Sequence, residues 1–194
     1  MRAVPSCRSL VCCGALLLLT AAKAQAQLPP TCKPPASAAN PPAGTPPASV
    51  YDAVGVWFAQ KGDFKCSVAA FEQALRLDPH SAEAHFDLGL VRQNQKQNAA
   101  AIREFQLALQ YDPALVQARC ALGSVLPDPA AAEAEFRKAL EVNPQLVCAL
   151  DGLAQVLLTG GRYDAALDYW RQAVRIQPDA PDLQLALALS LIHI

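Results

Sequence analysis

The chain has 194 residues, 53% of them hydrophobic and 6% aromatic, with a formal charge of −1. That is enough for one domain with its own core. The near-balanced charge leaves no basic patch, so neither a nucleic-acid backbone nor an anionic membrane surface is expected as the main partner.

Met1 to Ala26 reads as a signal peptide. It opens with Arg2 and Arg8, carries an apolar stretch around Leu16-Leu17-Leu18-Leu19, and ends in Ala24-Gln25-Ala26, an Ala-x-Ala cleavage site. The apolar stretch is shorter than the roughly 18–20 residues of a spanning helix. Cleavage after Ala26 is therefore expected over an uncleaved anchor, with no membrane insertion afterwards. Cys12 and Cys13 precede the apolar stretch, where a lipid-modified cysteine would follow it. The expected location is a bacterial periplasm or the secreted medium. Cleavage leaves 13 basic and 17 acidic residues, net −4.

Leu28 to Pro47 holds Pro29, Pro30, Pro34, Pro35, Pro41, Pro42, Pro46 and Pro47. Few backbone donors and a polyproline II preference make 27–47 a semi-rigid linker. The mature cysteines are Cys32, Cys66, Cys120 and Cys148. Four thiols allow three pairings in an oxidising compartment. None has CxxC or Cys/His metal spacing, so no metal is expected.

From Ala48 onward the chain repeats itself. Phe71-Glu72-Gln73-Ala74-Leu75-Arg76-Leu77-Asp78-Pro79 recurs as Phe105 to Pro113, Phe136 to Pro144 and Trp170 to Pro178. The closing prolines are spaced 34, 31 and 34 apart. An upstream pair recurs as Val54-Gly55, Leu88-Gly89, Leu122-Gly123 and Leu153-Ala154, spaced 34, 34 and 31. The three missing residues thus lie between Gly123 and Phe136, where Pro127-Asp128-Pro129 predicts a contracted internal turn. Each repeat predicts two helices joined by a turn such as Lys61-Gly62-Asp63 or Thr159-Gly160-Gly161. A proline closes the second helix, because the residue before it is pushed out of helical space. Small residues allow close approach and the aromatic fills the space between. One hairpin cannot bury its apolar face alone, but a stack can.

These columns resemble the tetratricopeptide repeat (TPR) family. Tyr51, Val54-Gly55, Phe58, Phe71, Ala74 and Pro79 carry the pattern in the first repeat. Ala101, Ala132 and Ala166 hold the small position of later second helices. Ser67 in the first repeat and Arg92 in the second depart from it. The resemblance implies an all-α, right-handed superhelical solenoid of antiparallel helix pairs. Its units are 48–81, 82–115, 116–146 and 147–180, with 181–194 an incomplete fifth.

The resemblance further implies a concave groove lined by first helices that receives a peptide or helix. By helical phase its residues are Asp52, Val56, Gln60, Glu83, Phe86, Leu90, Gln93, Asn94, Gln117, Cys120, Ser124, Cys148, Asp151, Gln155 and Leu158. None is Lys or Arg, so the basic clamp with which chaperone-adaptor members hold a C-terminal carboxylate is missing. Phe86 and Leu90 are one turn apart and suit an apolar anchor, with Gln93, Asn94 and Gln117 offering hydrogen bonds. The alternative for Phe86 is packing on the preceding repeat. Cys120 and Cys148 fall on neighbouring first helices, about 10 Å apart by helix diameter. That exceeds the roughly 7 Å between α-carbons a disulfide allows, so they are expected to be unpaired.

No phosphate loop, nucleophile elbow or HExxH helix is present. His80, His85 and His193 lack a metal-ligand spacing, and His80 reads as a solvated turn residue. The expectation is a protein-binding scaffold with no catalytic residues, no cofactor and no small-molecule substrate. The alternative is the docking or regulatory segment of a larger enzyme or transport component. Leu189 to Ile194 also matches the translation of CTG TCT CTT ATA CAC ATC, a transposase adapter used in library preparation. Those six residues are expected to be read-through, with the native solenoid continuing past about Ala188. The alternative is a short hydrophobic helix that closes the stack or docks in a membrane or dimer interface.

Overall fold

The computed structural model describes residues 28–34 and 47–192, without the side chains of Pro47 and 189–192. The signal peptide with its cleavage site, the linker's 35–46 and His193-Ile194 lie outside the described residues. Among the described residues the chain forms nine helices. They are α1 (Pro47–Gln60), α2 (Phe64–Leu77), α3 (Ala82–Asn94), α4 (Asn98–Tyr111), α5 (Val116–Val125), α6 (Pro129–Val142), α7 (Val147–Thr159), α8 (Tyr163–Ile176) and α9 (Pro181–Ile192).

Odd and even helices pair, each pair packs on the next, and neighbouring first helices α1, α3, α5 and α7 touch in turn. The result is the expected all-α repeat solenoid. Local chemistry sets its boundaries. Asp63 accepts the N–H of Cys66 at 3.1 Å, Ser81 that of Ala84 at 3.2 Å, and Asp128 those of Ala130 and Ala131. Each satisfies a donor that a helix start leaves open. Before three closing prolines, Asp78, Asp112 and Asn143 accept the backbone N–H two residues on, which turns the chain into the next repeat.

The core follows the repeated columns. Phe71, Phe105, Phe136 and Trp170 are all buried between helices of a pair. A β-carbon at Gly89 would lie 2.5 Å from the Phe105 ring, and one at Gly55 2.7 Å from Phe71. Glycine is therefore required by close approach. The departure at Ser67 has its own compensation: the buried hydroxyl donates to the Gly55 carbonyl at 2.8 Å, tying α2 to α1.

Three expectations need correction. The missing residues of the third repeat are not taken from the turn. Leu126-Pro127-Asp128 is as long as Gln95-Lys96-Gln97, and α5 instead has 10 residues where α3 has 13. Elsewhere the turn uses a positive φ, at Gly62 (74°), Lys96 (62°) and Gly161 (73°). Pro127 holds the corresponding position here, and its ring fixes φ negative. Leu126 before it is extended (φ −66°, ψ 131°), so the helix stops a turn early.

The linker is also not a free spacer throughout. Cys32 is buried and bonded to Cys66 at the start of α2, and Leu28 packs beside it against Val54, Phe58 and Ala70. Residues 28–34 are thus docked on the first repeat. The repeat pattern gave no signal for this, because it begins at Ala48.

Cys120 and Cys148 are bonded, with α-carbons 6.2 Å apart. The expected 10 Å was the axis separation of whole helices. The two side chains point toward each other across the α5–α7 contact, while Gly152 lets α7 lie directly against the Phe136 ring of α6.

Candidate peptide-binding groove

A cavity of about 660 Å³ lies on the side of the solenoid formed by the first helices. Of the expected groove residues, Phe86, Leu90, Gln93, Gln117, Cys120, Ser124, Cys148, Asp151 and Gln155 line it. They come from α3, α5 and α7. Asp52, Val56, Gln60, Glu83, Asn94 and Leu158 do not. The first four stand toward the N-terminal end, on α1 and the first turn of α3. Asn94 turns its amide back to the Leu90 carbonyl at 3.0 Å, and Leu158 packs against the core around Trp170.

The cavity lies beside the short α5. Its lining includes Leu126, Pro127, Pro129 and Ala132, from the α5–α6 turn and the start of α6. The 31-residue spacing is the sequence signal of the short helix beside this opening.

Phe86 is half-buried. Its ring centroid is 6.0 Å from that of Phe105 on the partner helix, and with Leu90 it packs on Ala101, Leu122 and Val125. It therefore packs on its own and the following repeat, while one side faces the cavity. Gln93 donates to the Ser124 hydroxyl at 3.2 Å, bridging α3 and α5, and that hydroxyl donates to the Ala121 carbonyl. On α7, Asp151 accepts from the indole N–H of Trp170 and the amide of Gln155, each at 2.8 Å. It is the one charged side chain among the cavity-lining residues.

At the N-terminal end, burial pushes the Asp52 carboxyl up to about 6, with help from the nearby charges of Asp87, Glu83 and Asp78. Asp87 is pushed up to about 6 by burial and by Glu83. Asp52 Oδ1 has no hydrogen-bond partner within the protein.

The sequence pattern also missed a fastening between repeats. His85 sits four residues into its repeat, accepts or donates at Glu104 (2.8 Å), and reaches the Pro79 carbonyl (3.3 Å). Arg119, in the same place one repeat on, donates to Glu135 at 3.2 Å and the Pro113 carbonyl at 2.9 Å. Gln184 donates to the Pro178 carbonyl in the same way. Different residue types do one job, so no column stood out. His80 is exposed, as expected, with its ring edge on Tyr111. Among the described residues no cluster of side chains suits a metal ion, and no helix is long and apolar enough to cross a membrane.

A model of the TPR repeat matches residues 57–96, and two models of the tetratricopeptide repeat match 82–115 and 149–190. No curated protein gives a significant match. Among solved structures, the MamA protein is 23% identical over 74% of this chain and 80% of its own, with a TM-score of 0.65. The Pseudomonas aeruginosa pilF protein is 23% identical over 75% of this chain and 68% of its own, with a TM-score of 0.70. YrrB, described as a TPR protein with an unusual peptide-binding site, is 21% identical over 75% and 77%, with a TM-score of 0.62. At these identities the likenesses speak for the fold. Together with repeat columns that recur in phase four times, the family matches show that the chain belongs to the tetratricopeptide repeat family.

Proposed function

We propose that the chain is an exported, non-catalytic scaffold that holds a protein partner through its concave groove. The observation that carries this reading is the cavity itself. Nine side chains from three successive first helices line it, combining the apolar Phe86 and Leu90 with the amides of Gln93, Gln117 and Gln155. That combination suits an extended or helical segment with one apolar anchor and polar backbone contacts. Export is supported by the Ala24-Gln25-Ala26 site and by two disulfides, which persist in oxidising compartments.

Ser124→Trp tests the groove without removing a core side chain, because Ser124 is exposed on the cavity wall. The mature chain is immobilised and exposed to an envelope extract of the source cell. Partners held through the groove are captured by the wild type and lost with Ser124→Trp. Capture that Ser124→Trp leaves undiminished sinks the groove reading. Intact mass of exported material tests export, with a start at Gln27 expected.

A further inference from the structure

Two rows of side chains meet across neighbouring first helices. One row is Asp52, Phe86, Cys120 and Asp151; the other is Glu83, Gln117, Cys148 and Asp182. The disulfide shows how closely the rows approach at one rung, and Phe86 with Gln117 lines the cavity at the rung before it. Asp52 and Glu83 hold the equivalent positions at the α1–α3 contact. The groove thus reads acidic pair, apolar cavity, disulfide and Asp151, and none of its register positions carries Lys or Arg. At the α1–α3 end Asp87 adds a third carboxyl on α3.

We propose that the groove selects an extended segment with an apolar side chain for the Phe86–Leu90 cavity and basic side chains for the flanking carboxylates of Asp52, Glu83 and Asp151. This rests on the groove reading above and names the partner's chemistry. Glu83 lies one turn, about 5 Å, before Phe86 on α3. An extended chain advances about 3.3 Å per residue, so a basic residue one or two positions from the apolar anchor reaches Glu83. On the other side Asp151 is fixed by two neutral donors, Trp170 and Gln155, which hold its carboxylate in place without cancelling its charge. Opposite charge across a groove steers association and rejects acidic competitors.

Three fluorescein-labelled decapeptides test this, sharing a central Ala-Leu-Phe-Ala and flanked at both ends by Lys, Gln or Glu. Polarisation titrations on the mature chain are expected to give the Lys peptide roughly tenfold tighter binding than the Gln peptide, the sum of several weak exposed pairs. The Glu peptide is expected not to bind. The Lys advantage shrinks in about 0.5 M NaCl, where the Debye length falls to about 4 Å. The Asp52→Asn/Glu83→Gln double variant is expected to lose most of the Lys peptide's advantage over the Gln peptide. Equal binding of the Lys and Gln peptides, both blocked by Ser124→Trp, overturns the charge selection and leaves the groove reading standing. Lys-peptide binding that survives Ser124→Trp overturns both. Failure of all three peptides to bind overturns the inference.

Discussion

Trp170 donates its indole N–H to Asp151 Oδ1 at 2.8 Å, so the core of the fourth repeat is fastened to a side chain of the groove. Trp170 is 2% exposed, which leaves its N–H no water to turn to. Trp170→Phe removes the donor and some ring volume. It is expected to lower stability by about 2–4 kcal/mol, hydrogen bond and cavity together, in urea titration. Asp151→Asn keeps an acceptor oxygen and is expected to lose at most about 1 kcal/mol. If Asp151→Asn costs as much as Trp170→Phe, the carboxylate charge and not the bond holds the site.

Lys96 makes a turn that glycine makes elsewhere. Its φ is 62°, matching Gly62 at 74° and Gly161 at 73° in the same place of their repeats. A side chain in left-handed space costs about 1 kcal/mol. Lys96→Gly is therefore expected to raise stability by up to about 1 kcal/mol, partly offset by the freer unfolded chain. Gly62→Ala meets no atom within 4 Å, yet is expected to destabilise by a similar amount through φ alone. A thermal melt of both variants checks the pair, and equal melting temperatures for Gly62→Ala and wild type would contradict it.

The repeat columns carried most of the fold. Gly55, Gly89 and Gly123 with Phe71, Phe105 and Phe136 recur in phase, because each pair solves the same packing problem. Helix phase likewise brought Phe86, Leu90, Gln117 and Asp151 to one face. What the pattern could not show lies in single events. The docking of Cys32 on Cys66 comes from outside the period. The loss of a turn from α5 needs the φ of Pro127 compared with three other turns. The fastening by His85, Arg119 and Gln184 uses three residue types for one geometry. The Cys120–Cys148 bond depends on side-chain direction, which an axis spacing leaves out.

Asp52 and Asp87 make a pH-dependent contribution whose sign is fixed by their shifts. Both carboxyls are pushed from 3.8 to about 6 in the folded protein, Asp52 mainly by burial and then by Asp87, Glu83 and Asp78. The folded state holds these protons more tightly than the unfolded state. Their penalty is thus absent below about pH 4 and fully present above about pH 6. Asp52 is half exposed, so solvent screening cuts the penalty to the order of 1 kcal/mol. Asp52→Asn is expected to raise the melting temperature at about pH 7 and to have little effect at about pH 4. An effect of equal size at both pH values would show that the gain is not electrostatic.

The two disulfides predict full protection of Cys32, Cys66, Cys120 and Cys148 when unfolded, non-reduced protein is treated with a thiol label. Their removal is expected to separate two roles. Cys32→Ala/Cys66→Ala releases residues 28–34 from the first repeat and opens a link between residues 34 apart. Cys120→Ala/Cys148→Ala opens a link between residues 28 apart, and it does so on the cavity wall. Loop-closure entropy sets an upper estimate of about 4 kcal/mol for either loss. Similar stability costs are therefore expected from the two pairs. Only the second is expected to change groove binding, because only its sulfurs line the cavity and tie α5 to α7. Titration of the Lys-flanked peptide against both double variants measures this. Altered affinity in the Cys32→Ala/Cys66→Ala variant, with none in the other, would place the peptide at the first repeat and away from the cavity.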